Sequence, residues 1–323
     1  MSIVTVRGPI AASQAGYTLS HEHILCDLWF LSRSYDGILD DESLAIKELA
    51  YYREAGGSSL VDATSCGLGR NPLALRRISE SSGIHIVMGS GWYRELVYPA
   101  LVHECDTNAI AALIVSDLVQ GAEGTNVRAG IIGEIGTERK YITPAQERMF
   151  RAAARAQRRT GACIMTHTTH FGELALEQIA LLREEAVPPE RIVISHLGDR
   201  HDTTQLMKIA REGVFLSVDN IGYVGGGYPP DEVRVRNVCK LAAEGHLPQI
   251  VLGGDICQKS HLAAYGGKGY AQVPRCFLPL LRAQGIREDA IHQMTVANPG
   301  RMLDIPEDSP VVNRDQQVRQ ERS

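Results

Sequence analysis

Residues 17–24 read YTLSHEHI, and this stretch decides the fold. It is a short run with β-branched and apolar character that carries two histidines two positions apart, His21 and His23. Successive strand side chains alternate faces, so residues two apart share one. Both imidazoles then look the same way and Glu22 looks the other. An open doubly wound sheet built for a nucleotide places a glycine-rich phosphate turn after its first strand. Here the sequence offers His-Glu-His instead, which favours a closed barrel with chemistry at its strand ends.

Seven further runs of the same kind come after it. They are residues 59–64 (SLVDAT), 84–90 (IHIVMGS), 130–135 (GIIGEI), 163–167 (CIMTH), 192–196 (IVISH), 214–219 (VFLSVD) and 250–255 (IVLGGD). Each interval between neighbouring runs has room for one helix and two loops, as in repeated βα units. Residues 144–160 (PAQERMFRAAARAQRRT) show a complete helix signature, with Thr143 as N-cap, Pro144 at the first helical position and Gly161 past the end. Eight units predict an α/β chain folded as a single-domain (β/α)8 TIM barrel over residues 1–305, followed by a polar C-terminal tail, 306–323.

Composition agrees with a globular protein. The chain has 323 residues, 44% hydrophobic and 22% charged, with a formal net charge of −5. A mildly acidic chain has no bulk electrostatic reason to bind nucleic acid or an anionic membrane. No apolar run approaches the roughly 18 residues of a membrane span, and the start lacks a secretory pattern. The 7 cysteines are scattered with no C-x-x-C pair. They read as reduced thiols, which points to the cytoplasm.

At the C-terminal ends of the expected strands stand six good metal ligands: His21, His23, Glu134, His167, His196 and Asp255. A lone H-x-H is weak, but convergence of ligands from several strands is what a metal site requires. Four imidazoles and two carboxylates exceed the three protein ligands of a usual catalytic zinc. Two divalent ions bridged by a carboxylate and a hydroxide use the set economically, and such a pair activates water and polarises a C=O or P=O group. Asp255 is the expected proton acceptor, with Asp199 as the next group in line.

Other residues are weighed by position. Trp92 and Tyr93 lie just past the third strand, and Lys259, Lys268 and Tyr270 just past the eighth. All five are candidate substrate contacts, and the loop after the eighth strand is a candidate lid. His170 reads as a loop residue, His85 as packing, and His103, His246 and His292 as exposed. No serine sits in a G-x-S-x-G elbow, so a covalent acyl-enzyme is not suggested.

The motifs TLSHEH, GIIGEIGT, THT, ISH and GGDICQKSHL, with TVANPGRML near the end, together resemble the phosphotriesterase-like family of the amidohydrolase superfamily. The resemblance spans about residues 6–303. It implies a barrel with two divalent ions, usually Zn2+, with Mn2+ or Co2+ as alternatives. His21, His23 and Asp255 would hold the more buried ion and His167 and His196 the more exposed one, with a strand-4 residue between them. Well-known members bridge with a carboxylated lysine. Strand 4 here has none, and Glu134 resembles the glutamate-bridged branch. Asn220 stands where organophosphate-degrading members carry a histidine, which speaks against efficient triester hydrolysis. The expected function is opening of a lactone or carboxylic ester, with phosphoester or N-acyl amide hydrolysis as alternatives. A binding protein on a retired scaffold would have lost ligands, and all six positions are filled. The expected partners are a small-molecule substrate and, in a homodimer, a second copy of the chain.

Overall fold

Eight strands succeed one another in sequence order around one parallel sheet in a computed structural model that describes residues 2–169 and 171–311. They are β1 (Thr18–Glu22), β2 (Ser59–Asp62), β3 (His85–Ser90), β4 (Ile131–Gly136), β5 (Ile164–His167), β6 (Ile192–Ile194), β7 (Phe215–Val218) and β8 (Ile250–Leu252). Just beyond its last residue, β8 returns to β1. There the Asp255 N–H donates to the His21 carbonyl at 3.0 Å and the His23 N–H to the Ile256 carbonyl at 3.2 Å. The result is the (β/α)8 barrel expected from the spacing of the eight runs.

The connecting helices are α1 (Glu42–Glu54), α2 (Pro72–Ser82), α3 (Thr107–Val119), α4 (Pro144–Thr160), α5 (Ala175–Glu184), α6 (Thr203–Ala210) and α7 (Asp231–Ala243), with α8 (Leu278–Ala283) after β8. Helix α4 starts as its sequence dictates. The Gln146 N–H donates to Thr143 Oγ1 and the Thr143 N–H to Gln146 Oε1, each at 3.1 Å, which is a reciprocal capping box. Gly161 ends it at φ 74°. The helix buries Met149, Phe150, Ala152, Ala153 and Ala156 against the sheet.

Apolar side chains form two layers. Leu60, Ile86, Ile132, Ile164, Ile192, Leu216 and Leu252 pack outward under the helices. Val61, Val87, Ile131, Cys163, Met165, Val193, Phe215 and Val251 fill the barrel interior. An antiparallel hairpin, Ser2–Thr5 with Gly8–Ala11, lies at the N-terminal end of the barrel. Its Ile3 joins Met302 and Leu303 in plugging the interior there. Packing continues past residue 305: Val311 is fully buried, and its carbonyl accepts from Arg128 Nη1 at 2.7 Å. Residues 312–323 and His170 lie outside the described residues. No helix among the described residues is long and apolar enough to cross a membrane.

Candidate active site

The C-terminal end of the barrel brings six side chains together. His23 Nε2 lies 3.1 Å from Asp255 Oδ1, and His21 Nε2 lies 3.6 Å from the same oxygen. Glu134 Oε1 lies 2.8 Å from His167 Nδ1, 3.2 Å from His196 Nε2 and 3.7 Å from His21 Nε2. Beside a grouping of His21, His196 and Asp219, two donor groups result, His21, His23 and Asp255 on one side and Glu134, His167 and His196 on the other. One glutamate oxygen faces both.

Simple alternation does not deliver all of these residues to the axis. Leu19 and Ile132 point outward, so His21 and Glu134, two positions on, would do the same in regular strands. Each strand carries an irregularity before its ligand. In β1, Leu19 pairs with Leu60 and Glu22 with Asp62, three steps against two. In β4, Ile132 pairs with Ile164 and Ile135 with Thr166, again three against two. A bulge of one extra residue re-aims the side chains beyond it. Gly133 makes the second one possible: its φ is 122°, and a Cβ there would sit 2.2 Å from the Met165 carbonyl oxygen. His196 and Asp255 lie beyond their strands with φ of 62° and 52°, uncommon for non-glycine residues and often found where a site fixes the backbone.

The ring orientations are fixed from behind. His23 Nδ1 lies 2.9 Å from Thr64 Oγ1. Asp219, at the end of β7, takes His21 Nδ1 on one oxygen and His196 Nδ1 on the other, both at 2.9 Å. These bonds leave the Nε2 atoms of all three rings free to face inward. Burial alone would lower the His21 and His196 pKa values, but the surrounding carboxylates raise both well above the ordinary imidazole value. Against their burial, Glu134 is held low by His167, His21 and His196, and Asp219 by His196 and His21. Two buried carboxylates, Glu134 and Asp219, together with the half-buried Asp255 therefore impose a demand for positive charge. His21 Nε2 is buried without a hydrogen-bond partner, although two carboxylate oxygens stand nearby. An orphaned imidazole nitrogen among deprotonated carboxylates fits a metal ion, and the nitrogen and oxygen donor set suits a zinc-like divalent cation.

Above the cluster opens a cavity of about 550 Å³. Its floor is made by His23, Glu134, His167, His196 and Asp255, and its walls include Leu28, Leu31, Leu68, Phe171 and Val224. Aromatic rings succeed one another along one wall: His261 against Tyr223 at 4.2 Å, Tyr223 against Tyr228 at 5.0 Å, and Tyr228 against Phe171 at 5.4 Å between centroids. Among the described lining residues there is no lysine or arginine.

Of the five candidate substrate contacts, Tyr93 alone lines this cavity, its hydroxyl 3.0 Å from His167 Nε2. Trp92 is buried beside it without reaching the cavity. Tyr270 is buried behind β1, donating its O–H to the His23 carbonyl at 2.8 Å. Lys259 begins a short 3-10 turn outside the lining, and Lys268 borders an adjoining cavity. Asp199 is fully buried, also outside the lining. It accepts from Asn220 Nδ2 at 2.7 Å and pairs with Arg234 at 2.5 Å. Burial raises its pKa to about 6 against the pull of that guanidinium. Sequence reading missed Thr64, Asp219, Tyr223 and Arg234 as parts of this site. Only Asp219 had a usable signal, as the inward-facing carboxylate ending the run VFLSVD.

The model of the Phosphotriesterase family matches residues 1–303. The phosphotriesterase homology protein of Escherichia coli is 34% identical over 288 residues, which cover 89% of this chain and 98% of its own. The N-acetyltaurine hydrolase of Danio rerio is 30% identical over 341 aligned positions, covering 93% of this chain and 97% of its own. The crystal structure of a lactonase from Listeria monocytogenes matches with a TM-score of 0.88 at 31% identity, covering 94% of this chain and 99% of that one.

Proposed function

This chain belongs to the phosphotriesterase family of hydrolytic enzymes, and from that premise we propose that it opens a neutral lactone or carboxylic ester bearing an apolar chain, at a centre of two divalent ions. The observation that carries the reading is the contrast between floor and wall. The floor is a cluster of imidazoles and carboxylates, and the wall is aliphatic and aromatic without a lysine or arginine among the described residues. A phosphate, sulfonate or carboxylate on the part of the substrate that lies against the wall would meet no lysine or arginine among the described lining residues, which is costly in a partly desolvated site.

His21, His23 and Asp255 would hold one ion, His167 and His196 the other, with Glu134 between them. Zinc is the favoured identity for four nitrogens and two carboxylates. Bound ions supply an acidified water and a polarised carbonyl. Asp255 faces the cavity and is the carboxylate placed to take the water's proton. Its route to Asp199 is interrupted, because the amide of Asn220 contacts Asp199 and does not titrate. The proton then passes from Asp255 to the leaving group. A lactone suits this, since its alkoxide stays tethered and needs one proton. Tyr93 can donate its hydroxyl toward the carbonyl oxygen from beside His167.

Measured kcat/KM on a matched alkyl lactone, a phosphotriester, an N-acyl amino acid and a phosphorylated lactone tests the reading. The alkyl lactone is expected to be preferred. If the N-acyl substrate is favoured tenfold, about 1.4 kcal/mol in the transition state, the lactonase reading is wrong. The relatives named N-acetyltaurine hydrolase make that comparison the most pointed one.

A further inference from the structure

Glu22 stands between His21 and His23 in sequence, is fully buried, and lies outside the lining of the catalytic cavity. Among the described residues no lysine or arginine pairs with it, and two backbone N–H groups hold it instead. The Gly254 N–H donates to Oε1 at 2.5 Å and the Ile256 N–H to Oε2 at 3.0 Å. Burying a carboxylate without a cation is costly, and an apolar side chain would fill the place at less cost. The residue between the two donors is Asp255.

The turn that carries Asp255 has no strand of its own to hold it. Strand β8 ends at Leu252, and Asp255 takes the left-handed φ of 52°. Its support comes from β1 and the residue after it. The Asp255 N–H donates to the His21 carbonyl, and the His23 N–H donates to the Ile256 carbonyl. The Glu22 carboxylate then takes the N–H on either side of Asp255. Backbone N–H groups around a left-handed residue form a concave anion site, and here the anion is one of the protein's own side chains. Gly254 permits the close approach, since a Cβ there would sit 3.1 and 3.2 Å from the two carboxylate oxygens. From a turn fixed in this way, Asp255 reaches the cavity with Oδ1 3.1 Å from His23 Nε2.

We propose that Glu22 is a positioning residue of the reaction, its carboxylate holding the 254–256 turn so that Asp255 stands among the metal-binding side chains and toward the substrate. The inference rests on the reading of Asp255 as metal ligand and proton acceptor given above. A carboxylate suits the task because both oxygens must accept. A glutamine in the same place offers one acceptor and one donor, and its NH2 would face a backbone N–H.

The test is a double-mutant cycle on the full chain, made of the wild type, Glu22→Gln, Asp255→Asn and the double variant. Each is loaded with Zn2+ and measured for turnover of an alkyl lactone and for zinc affinity against a competing chelator. Glu22→Gln is expected to lower kcat by about 10- to 100-fold with KM within about threefold, and to weaken one of the two zinc sites by about 10- to 100-fold. In the Asp255→Asn background the same change is expected to cost less than about twofold, because the residue through which it acts is already altered. Zinc affinity closes the cycle even where Asp255→Asn turns over too slowly to measure. Equal losses in both backgrounds would mean that Glu22 serves packing alone, and they overturn the proposal. So does a Glu22→Gln variant with wild-type kcat and zinc affinity. Gly254→Ala presses on the same carboxylate from its partner's side and replaces the glutamine variant if that protein is not recovered. It is expected to show a smaller loss with the same dependence on Asp255. A wild type that binds fewer than two zinc ions or opens no lactone refutes the function proposed above, whereas effects independent of Asp255 refute the positioning role.

Discussion

The two ends of the barrel interior are built from the same eight strands and share almost nothing else. At the N-terminal end Val61, Val87, Ile131, Val193, Phe215 and Val251 form one buried cluster with the plug of Ile3, Met302 and Leu303. At the other end the inward positions are imidazoles and carboxylates. The first end is reached by regular alternation. The second needs two bulges and two left-handed residues to aim His21, Glu134, His196 and Asp255. Regular strands supply stability at one end, and local departures supply chemistry at the other.

Separating the two ends by mutation gives the sharpest test, and the largest effect belongs to Glu134. On the proposed reading it lies between two ions, and Glu134→Gln would then leave two cations facing each other. We expect one metal to be lost and activity to fall by about a thousandfold or more, as when one of a pair of activating ions is removed. Elemental analysis and turnover on the same preparation check this. A bridging glutamate needs no CO2, so on the proposed reading bicarbonate is expected to leave reconstitution of the wild type unchanged. Two retained ions in the glutamine variant would refute the bridging role.

Asp219 comes next. Its two oxygens accept from one imidazole of each donor group. Asp219→Asn keeps the shape but offers one acceptor and one donor, so one of the two rings loses its orientation. The expected cost is about 10- to 100-fold in metal affinity, the usual scale for a residue that orients a ligand. Titration with a competing chelator measures it. Unaltered affinity would mean that the rings are held by packing alone.

At the opposite end the same logic predicts the reverse pattern. Ile131→Ala removes three carbons from the barrel interior and should destabilise the protein by about 2 to 5 kcal/mol. Metal content and kcat of the folded fraction should stay near wild type. Denaturant unfolding paired with metal analysis decides it, and loss of metal without loss of stability would show that the two ends are not independent.

Much of this architecture was legible in the sequence because it depends on local chemistry. The eight runs have the β-branched content of buried strands, the cap of α4 is spelled out at Thr143, Pro144 and Gly161, and the six clustered residues sit at run ends. The hidden features depend on partners distant in the chain. A bulge is a mismatch between two strands, so neither GIIGEI nor TLSHEH declares one alone. Tyr270 lies close after β8 in sequence, yet its loop folds behind β1 and buries the ring. Arg234 reads as an ordinary helix residue, and nothing local announces that it is fully buried against Asp199. The contact between Tyr223 and His261 joins loops from two different strands, which only the closed barrel brings together.

The smallest expected effect concerns the cations near the site in sequence. A phosphorylated substrate would want positive charge at the cavity, and Lys259 and Arg275 are available by position. The structure places neither in the lining. Arg275 is about half exposed and lies 3.7 Å from Glu54, a solvent-screened pair of little energetic weight. Lys259 opens a turn whose fixed point is the next residue, Ser260, bonded through its N–H and hydroxyl to Asp36 at 2.8 and 2.7 Å. Lys259→Ala and Arg275→Ala should therefore change kcat/KM for a neutral lactone by less than about threefold, under 1 kcal/mol. The informative arm is the phosphorylated lactone. If Lys259→Ala lowers its kcat/KM tenfold while sparing the neutral one, the lysine reaches the substrate after all and the cavity admits an anion. If both substrates are spared, charge plays no part in recognition there and the apolar wall carries the selectivity.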